Sequence, residues 1–181
     1  MPTYLDNIKL HQLPVTSYQI IMKARWIILA VSVAIFFGGN LLTSLRDPWF
    51  QNLTRPGWLT FESLIPLIWA VVWICGTISA ILVWEKSRRQ RRDRPWFFMG
   101  LYIAIALLTT LYSPVVVELR SLVGGLIFGG LATILAYVVA ISVRKISTTA
   151  SWLLLPYMLW GPIGTYLTWV LIQLNPGVGG V

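Results

Sequence analysis

Residues 49–58 read Trp49-Phe50-Gln51-Asn52-Leu53-Thr54-Arg55-Pro56-Gly57-Trp58, and an apolar run carrying Trp69 and Trp73 follows. An aromatic turn at the entrance of an apolar segment of about 20 residues marks the boundary of a membrane helix. Four of the chain's 10 tryptophans fall within residues 49–73. Such a grouping either anchors a helix at the bilayer interface or lines and roofs a cavity for a flat apolar ligand.

The apolar character continues on both sides of this stretch. The chain is 57% hydrophobic and 11% charged, with a mean hydropathy of +0.74, which places it in the membrane class. Five runs, at 26–45, 64–84, 96–117, 122–143 and 150–174, are each long enough to cross a bilayer. None alternates as a barrel strand would. Backbone groups in lipid must be satisfied internally, so each run is read as a helix. The expected fold is an all-α integral membrane protein, a five-transmembrane-helix bundle over 26–175. A cytoplasmic tail, 1–25, precedes it and a short tail, 176–181, follows.

The basic residues orient the bundle. Eleven of the fourteen fall on one side: Lys9, Lys23 and Arg25, then Lys86, Arg88, Arg89, Arg91, Arg92 and Arg94, then Arg144 and Lys145. Arg46, Arg55 and Arg120 fall on the other. The positive-inside rule puts the N-terminus in the cytoplasm. The net charge of +8 is therefore read as a topology signal and an attraction to anionic lipid, with no nucleic-acid partner expected. The first run is longer than a signal-peptide core and no small-residue cleavage site follows it, so it is read as a retained helix. A multi-pass protein of a bacterial inner or related membrane is expected.

Several chemistries lack their parts. No Asp, Glu, Lys, Arg or His lies inside the five runs, which disfavours proton relays, ion pathways and voltage sensors. The single His11 sits in the tail and is read as a solvated residue. The single Cys75 cannot form a disulfide or a thiolate cluster within one chain. No metal-ligand spacing, phosphate loop or nucleophile elbow is present, so no metal site and no catalytic residue are assigned.

The spans do hold uncharged polar groups: Asn40, Thr77, Ser79, Thr109, Thr110, Thr165 and Thr168. Their simplest role is hydrogen bonding between helices or back to the helix's own carbonyls. Ser121, Gly125, Gly129 and Thr133 recur every four residues, a stripe that permits close helix approach within the bundle or in a dimer. Pro66 falls in the first turns of the second span, where proline costs little, whereas Pro156 and Pro162 fall within the fifth and are expected to kink it. Trp26, Trp84, Trp96 and Trp152 lie at the inner boundary, where interfacial anchoring accounts for them. Trp160 is too deep for that belt and either faces a pocket or packs in the bundle.

These features resemble the TspO/MBR family of tryptophan-rich sensory and translocator proteins. The family's first-loop pattern appears as Trp49-Phe50, Leu53, Arg55-Pro56 and Trp58, with Ile65, Trp69 and Trp73 after it. Its fifth-helix pattern appears as Pro156-Tyr157-Met158-Leu159-Trp160, then Ile163, Gly164, Leu167-Thr168 and Leu174-Asn175. Thr60-Phe61 replaces the family's Pro-Pro pair, Thr109 and Tyr112 replace its third-helix Asn and Trp, and Thr168 replaces a fifth-helix Asn. No basic residue follows Tyr166, so the family's sterol pattern is missing, while Arg94, Phe97 and Leu101 fit a reversed version. The resemblance implies a pocket between helices one, two and five, closed by the 46–61 loop and taking a tetrapyrrole such as porphyrin or haem. Its implied lining is Trp49, Arg55, Pro56, Trp58, Trp69, Trp73, Tyr112, Trp160, Gly164 and Thr168. Binding would rest on stacking, with Arg55 pairing a propionate and no obligatory cofactor or iron ligation. Sensing, transport and regulation are the implied roles. Two other readings stand beside them: light- or oxidation-dependent tetrapyrrole degradation using Trp160 or Trp58, and a non-catalytic assembly subunit of a larger membrane complex. A homodimer is also implied.

Overall fold

The computed structural model describes residues 15–41, 47–89 and 94–177. Every regular element among them is helical. Helix α1, Val15–Leu41, begins well ahead of the apolar run that starts at Trp26. The first loop opens with a single turn, α2, Pro48–Gln51, capped by the Asp47 carboxylate, which accepts from the Trp49 N–H at 2.8 Å. A turn follows in which the Leu59 N–H donates to the Pro56 carbonyl at 3.0 Å. One 3-10 turn, Glu62–Leu64, then leads into α3, Ile65–Arg89. Pro66 sits in the first turn of α3, where its missing N–H has no helical partner to lose.

Three further long helices complete the bundle. Helix α4, Pro95–Val117, starts on a proline. Helix α5, Leu122–Arg144, is capped by Ser121, whose hydroxyl accepts from the Gly124 N–H at 3.0 Å. A short α6, Thr148–Trp152, precedes α7, Leu155–Leu174. The run 150–174 is thus not one continuous helix. It turns at Leu153–Leu154, and Pro156 stands in the first turn of α7 instead of kinking its interior. Pro162 does lie inside α7.

Four described helices are long and apolar enough to cross a membrane, with spans at Met22–Gly39, Glu62–Arg89, Pro95–Val117 and Leu122–Arg144. The 20-residue α7 is not among them. Its Gly161, Gly164, Thr165, Thr168 and Gln173 dilute its apolar character. The chain is a multi-pass, all-helical membrane protein.

Small residues set the packing. Helix α5 lies between α4 and α7, α3 contacts both of these, and α1 leans on α3 and α4. A methyl group on Gly125 would meet Val116 and Tyr112 of α4. One on Gly129 would touch Thr165 of α7 and Tyr112 at 3.6 Å each, and one on Gly161 would meet the Thr133 hydroxyl at 2.6 Å. The Ser121–Thr133 stripe is therefore spent on contacts within the bundle. The main core runs from Val72, Val83 and Trp84 through Ala136, Val139 and Val143 to Ala150, Tyr157 and Trp160. A second cluster, around Leu53, Val116, Leu122 and Leu171, ties the first loop to the far end of the bundle.

The boundary tryptophans divide. Trp26, Trp96 and Trp152 are exposed, as interfacial anchors are. Trp84 is not an anchor. It is 4% exposed, meets Trp96 edge-on at 4.9 Å, and carries the Arg88 guanidinium over its ring at 5.3 Å. Its position at the end of the apolar run gave no sign of which way the ring turns.

Candidate ligand site beneath the first loop

The loop after Trp49 is pinned by one residue from the end of α7. The Thr54 N–H donates to Asn175 Oδ1 at 2.8 Å, and Asn175 Nδ2 donates to the Thr54 carbonyl at 3.0 Å and to the Leu171 carbonyl at 2.8 Å. Asn175 thus acts as a clamp between segments distant in sequence. Beyond it Arg55 pairs with Glu62 at 3.4 Å, lies over the Phe50 ring at 5.5 Å and donates to the Phe50 carbonyl at 3.4 Å. Pro56 is buried.

From this loop a run of rings descends into the bundle. Trp58 stacks against Tyr166 of α7, centroids 6.1 Å apart and planes 23° from parallel. Trp58 also meets Phe61 at 6.4 Å, Phe61 meets Trp160 at 6.5 Å, and Trp160 meets Trp69 of α3 at 6.4 Å. Trp69 in turn meets Tyr157 edge-on at 6.1 Å. The upper rings, Trp58 and Tyr166, are exposed, while Trp160 is 7% exposed. The indole Nε1 of Trp160 is buried with no hydrogen-bond partner. A buried donor left unpaired carries a desolvation cost that a ligand acceptor would remove. Gly164 follows one turn on, and a methyl there would lie 4.0 Å from that nitrogen.

The ten residues that the resemblance implied are thus distributed over several places. Trp58, Trp69, Trp160 and Gly164 meet along the ring run, with Arg55 and Pro56 in the loop above. Trp49 packs on the second cluster with Phe50 and Tyr112. The Tyr112 hydroxyl and Thr168 Oγ1 lie 2.7 Å apart, and Thr168 donates to its own helix at the Gly164 carbonyl, 2.9 Å. Tyr112 and Thr168 therefore satisfy each other inside α4–α7 packing. Trp73 faces α1, where Phe36 meets it edge-on at 5.5 Å. It lines a separate cleft of about 370 Å³ bounded chiefly by α1, α3 and α4. Composition alone did not single out Phe61, Tyr166 or Asn175. Asn175 closes the quoted fifth-helix pattern and Phe61 stands where the family has a proline, but the implied lining includes neither of them nor Tyr166.

Comparison with known proteins identifies the family. Residues 26–174 match the TspO/MBR family profile. The chain is 26% identical over 148 residues to the uncharacterized membrane protein YtaB of Bacillus subtilis, covering 82% of this chain and 94% of that protein. It is 27% identical over 155 residues to the tryptophan-rich protein TspO of Chlorobaculum tepidum, covering 82% and 93% respectively. It is 22% identical over 129 residues to protein CrtK of Rhodobacter capsulatus, covering 71% and 79%. The aromatic first loop, the ring run it covers and a profile match across nearly the whole bundle make this chain a member of the TspO/MBR family.

Proposed function

We propose that the protein is a membrane sensor or regulator whose ring run between α3 and α7, covered by the first loop, takes up a flat tetrapyrrole. The observation that carries this reading is the unpartnered Trp160 indole at the buried end of a continuous aromatic path that begins at exposed Trp58 and Tyr166. Aromatic faces favour a large planar ring by about 0.5–1.5 kcal/mol per contact beyond area burial. On this reading the Trp160 N–H gains its missing acceptor from that ring when the packed rings open around it. Arg55, partly exposed beside the path, is held by Glu62 and by the Phe50 ring and carbonyl, and would exchange the solvated Glu62 carboxylate for a propionate.

The reading extends to topology. Helix α7 is the fifth span: its hydroxyls turn inward, with Thr133 and Thr165 Oγ1 3.4 Å apart, while Leu159, Ile163, Tyr166 and Trp169 face outward. With the basic loops inside, the N-terminus is cytoplasmic and the first loop opens to the opposite side.

Titration of protoporphyrin IX against tryptophan fluorescence in detergent tests the site. Saturable quenching is expected in the unmodified protein. Trp160→Phe keeps a ring but loses the donor, and should weaken affinity about two- to tenfold. Trp84→Phe, outside the path, should bind as the unmodified protein does. Linear, non-saturable quenching, or equal affinity in the Trp160 variant, would overturn the assignment.

A further inference from the structure

The cleft bounded by α1, α3 and α4 lies away from the ring run and has its own chemistry. Its walls are apolar, built by residues such as Ile28, Ile35, Val72, Met99 and Ile105. Its volume, about 370 Å³, lies in the range of small-ligand pockets. Two fixed points explain its shape. At one end Arg25 pairs with Glu85 and holds α1 to α3. At the other, Gly39 lets α1 approach α4 so closely that a methyl there would meet Thr110 at 2.5 Å. Between these points α1 stands off, and Gly76 on the α3 wall faces open space, with nothing within 4 Å of where its Cβ would be.

The charged lining is one-sided. Lys23 and Arg88 belong to the end where α3 finishes and α4 begins, and neither has a carboxylate partner among the described residues. Trp84 lines the same cleft, is 4% exposed, and its indole Nε1 has no hydrogen-bond partner. Two cations without a carboxylate partner, Lys23 and an Arg88 that rests over the Trp84 ring, at one end of an apolar cleft are complementary to a phosphate head carrying an acyl chain.

We infer that this cleft holds one acyl chain of an anionic phospholipid, with Lys23 and Arg88 on its phosphate. The lipid belongs to the leaflet at the basic end of the bundle. It would fill the gap under α1 and brace that helix against α3 and α4.

Native mass spectrometry of the full chain in detergent, titrated with dioleoyl phosphatidylglycerol or dioleoyl phosphatidylcholine, tests this. One saturable phosphatidylglycerol adduct is expected, with phosphatidylcholine binding much more weakly. Lys23→Gln with Arg88→Gln should weaken the adduct about tenfold to thirtyfold. Gly76→Leu grows into open space without a clash, improves helix propensity and keeps both cations, so it should fold and yet lose the adduct. Added inorganic phosphate should leave the adduct in place. Equal retention of the two lipids, an adduct indifferent to either variant, or displacement by phosphate alone would each overturn the inference.

Discussion

Asn175 joins two segments that the chain separates widely, and its three hydrogen bonds determine where the loop over the ring run sits. Thr54 is exposed, so water can replace the lost partner in Asn175→Ala, and the stability loss should be about 1 kcal/mol. The larger effect should be on the loop: chymotrypsin should cut after Trp58 faster in the variant than in the unmodified protein. Equal cutting rates would show that the second cluster alone holds the loop. Ser79 is a deeper case. It is fully buried, donates to the Ala150 carbonyl at 2.6 Å and sits 2.6 Å from the Tyr102 hydroxyl. In a membrane bundle such bonds contribute about 0.6 kcal/mol on average and at most about 1.7. Ser79→Ala should therefore lower thermal stability in detergent within that range, and a larger loss would show that the site does more than join α3 to α6. At this scale the sequence revealed which residue types matter but not their partners. Thr109, a polar residue of a span, proves to face the Tyr157 hydroxyl at 2.6 Å. Tyr112 and Thr168, both grouped with the pocket by resemblance, lie with their hydroxyl oxygens 2.7 Å apart.

The glycines of the bundle fall into two kinds, those at close helix approaches and those facing open space. Gly161 and Gly125 sit where α7 and α4 press on α5, whereas Gly100 faces open space. Gly161→Val forces a branched side chain onto Thr133 and should cost about 1–3 kcal/mol by overpacking. Gly100→Ala meets nothing and should stabilise α4 by about 0.5–1 kcal/mol. Thermal unfolding of both variants in one detergent checks the contrast, and two shifts of the same sign would refute it. The helices themselves were legible because lipid leaves no choice: an apolar run that long must satisfy its own backbone. Their ends were less legible. Hydropathy starts the first span at Trp26 although the helix begins at Val15, since its first turns are polar and lie outside the apolar layer. Hydropathy also runs through 150–174, where Pro156 starts a new helix after a turn. The cleft under α1 was not legible, because its lining is drawn from α1, α3, α4 and the start of the last helices. No single motif records how far α1 stands off.

For the whole molecule, the question is whether α7 crosses. Four described helices meet the length and hydropathy of a span, and α7 does not. Its shortfall comes from Gln173, two prolines and its tyrosines and tryptophans as well as from glycines and threonines, and of these Gly161, Thr165 and Thr168 are turned into the bundle. Packing of this kind removes the cost of the polar groups before the helix meets the bilayer. The two outcomes place the C-terminal end on opposite sides. If α7 crosses, residues after it lie with Arg120, across the membrane from the basic loops; if it does not, they lie with Thr148. The test starts from Cys75→Ala, which removes the chain's one cysteine, and adds a single cysteine as Arg120→Cys, Thr148→Cys or Pro176→Cys; all three positions are exposed. In intact cells a membrane-impermeant maleimide should label the first and third of these and spare the second, which should react only after permeabilisation. Protection of the cysteine at position 176 in intact cells would instead lay α7 along the basic face of a four-span bundle. That outcome would also separate the Trp58–Tyr166 stack from the opening of the first loop, and the proposed tetrapyrrole path would fall with it.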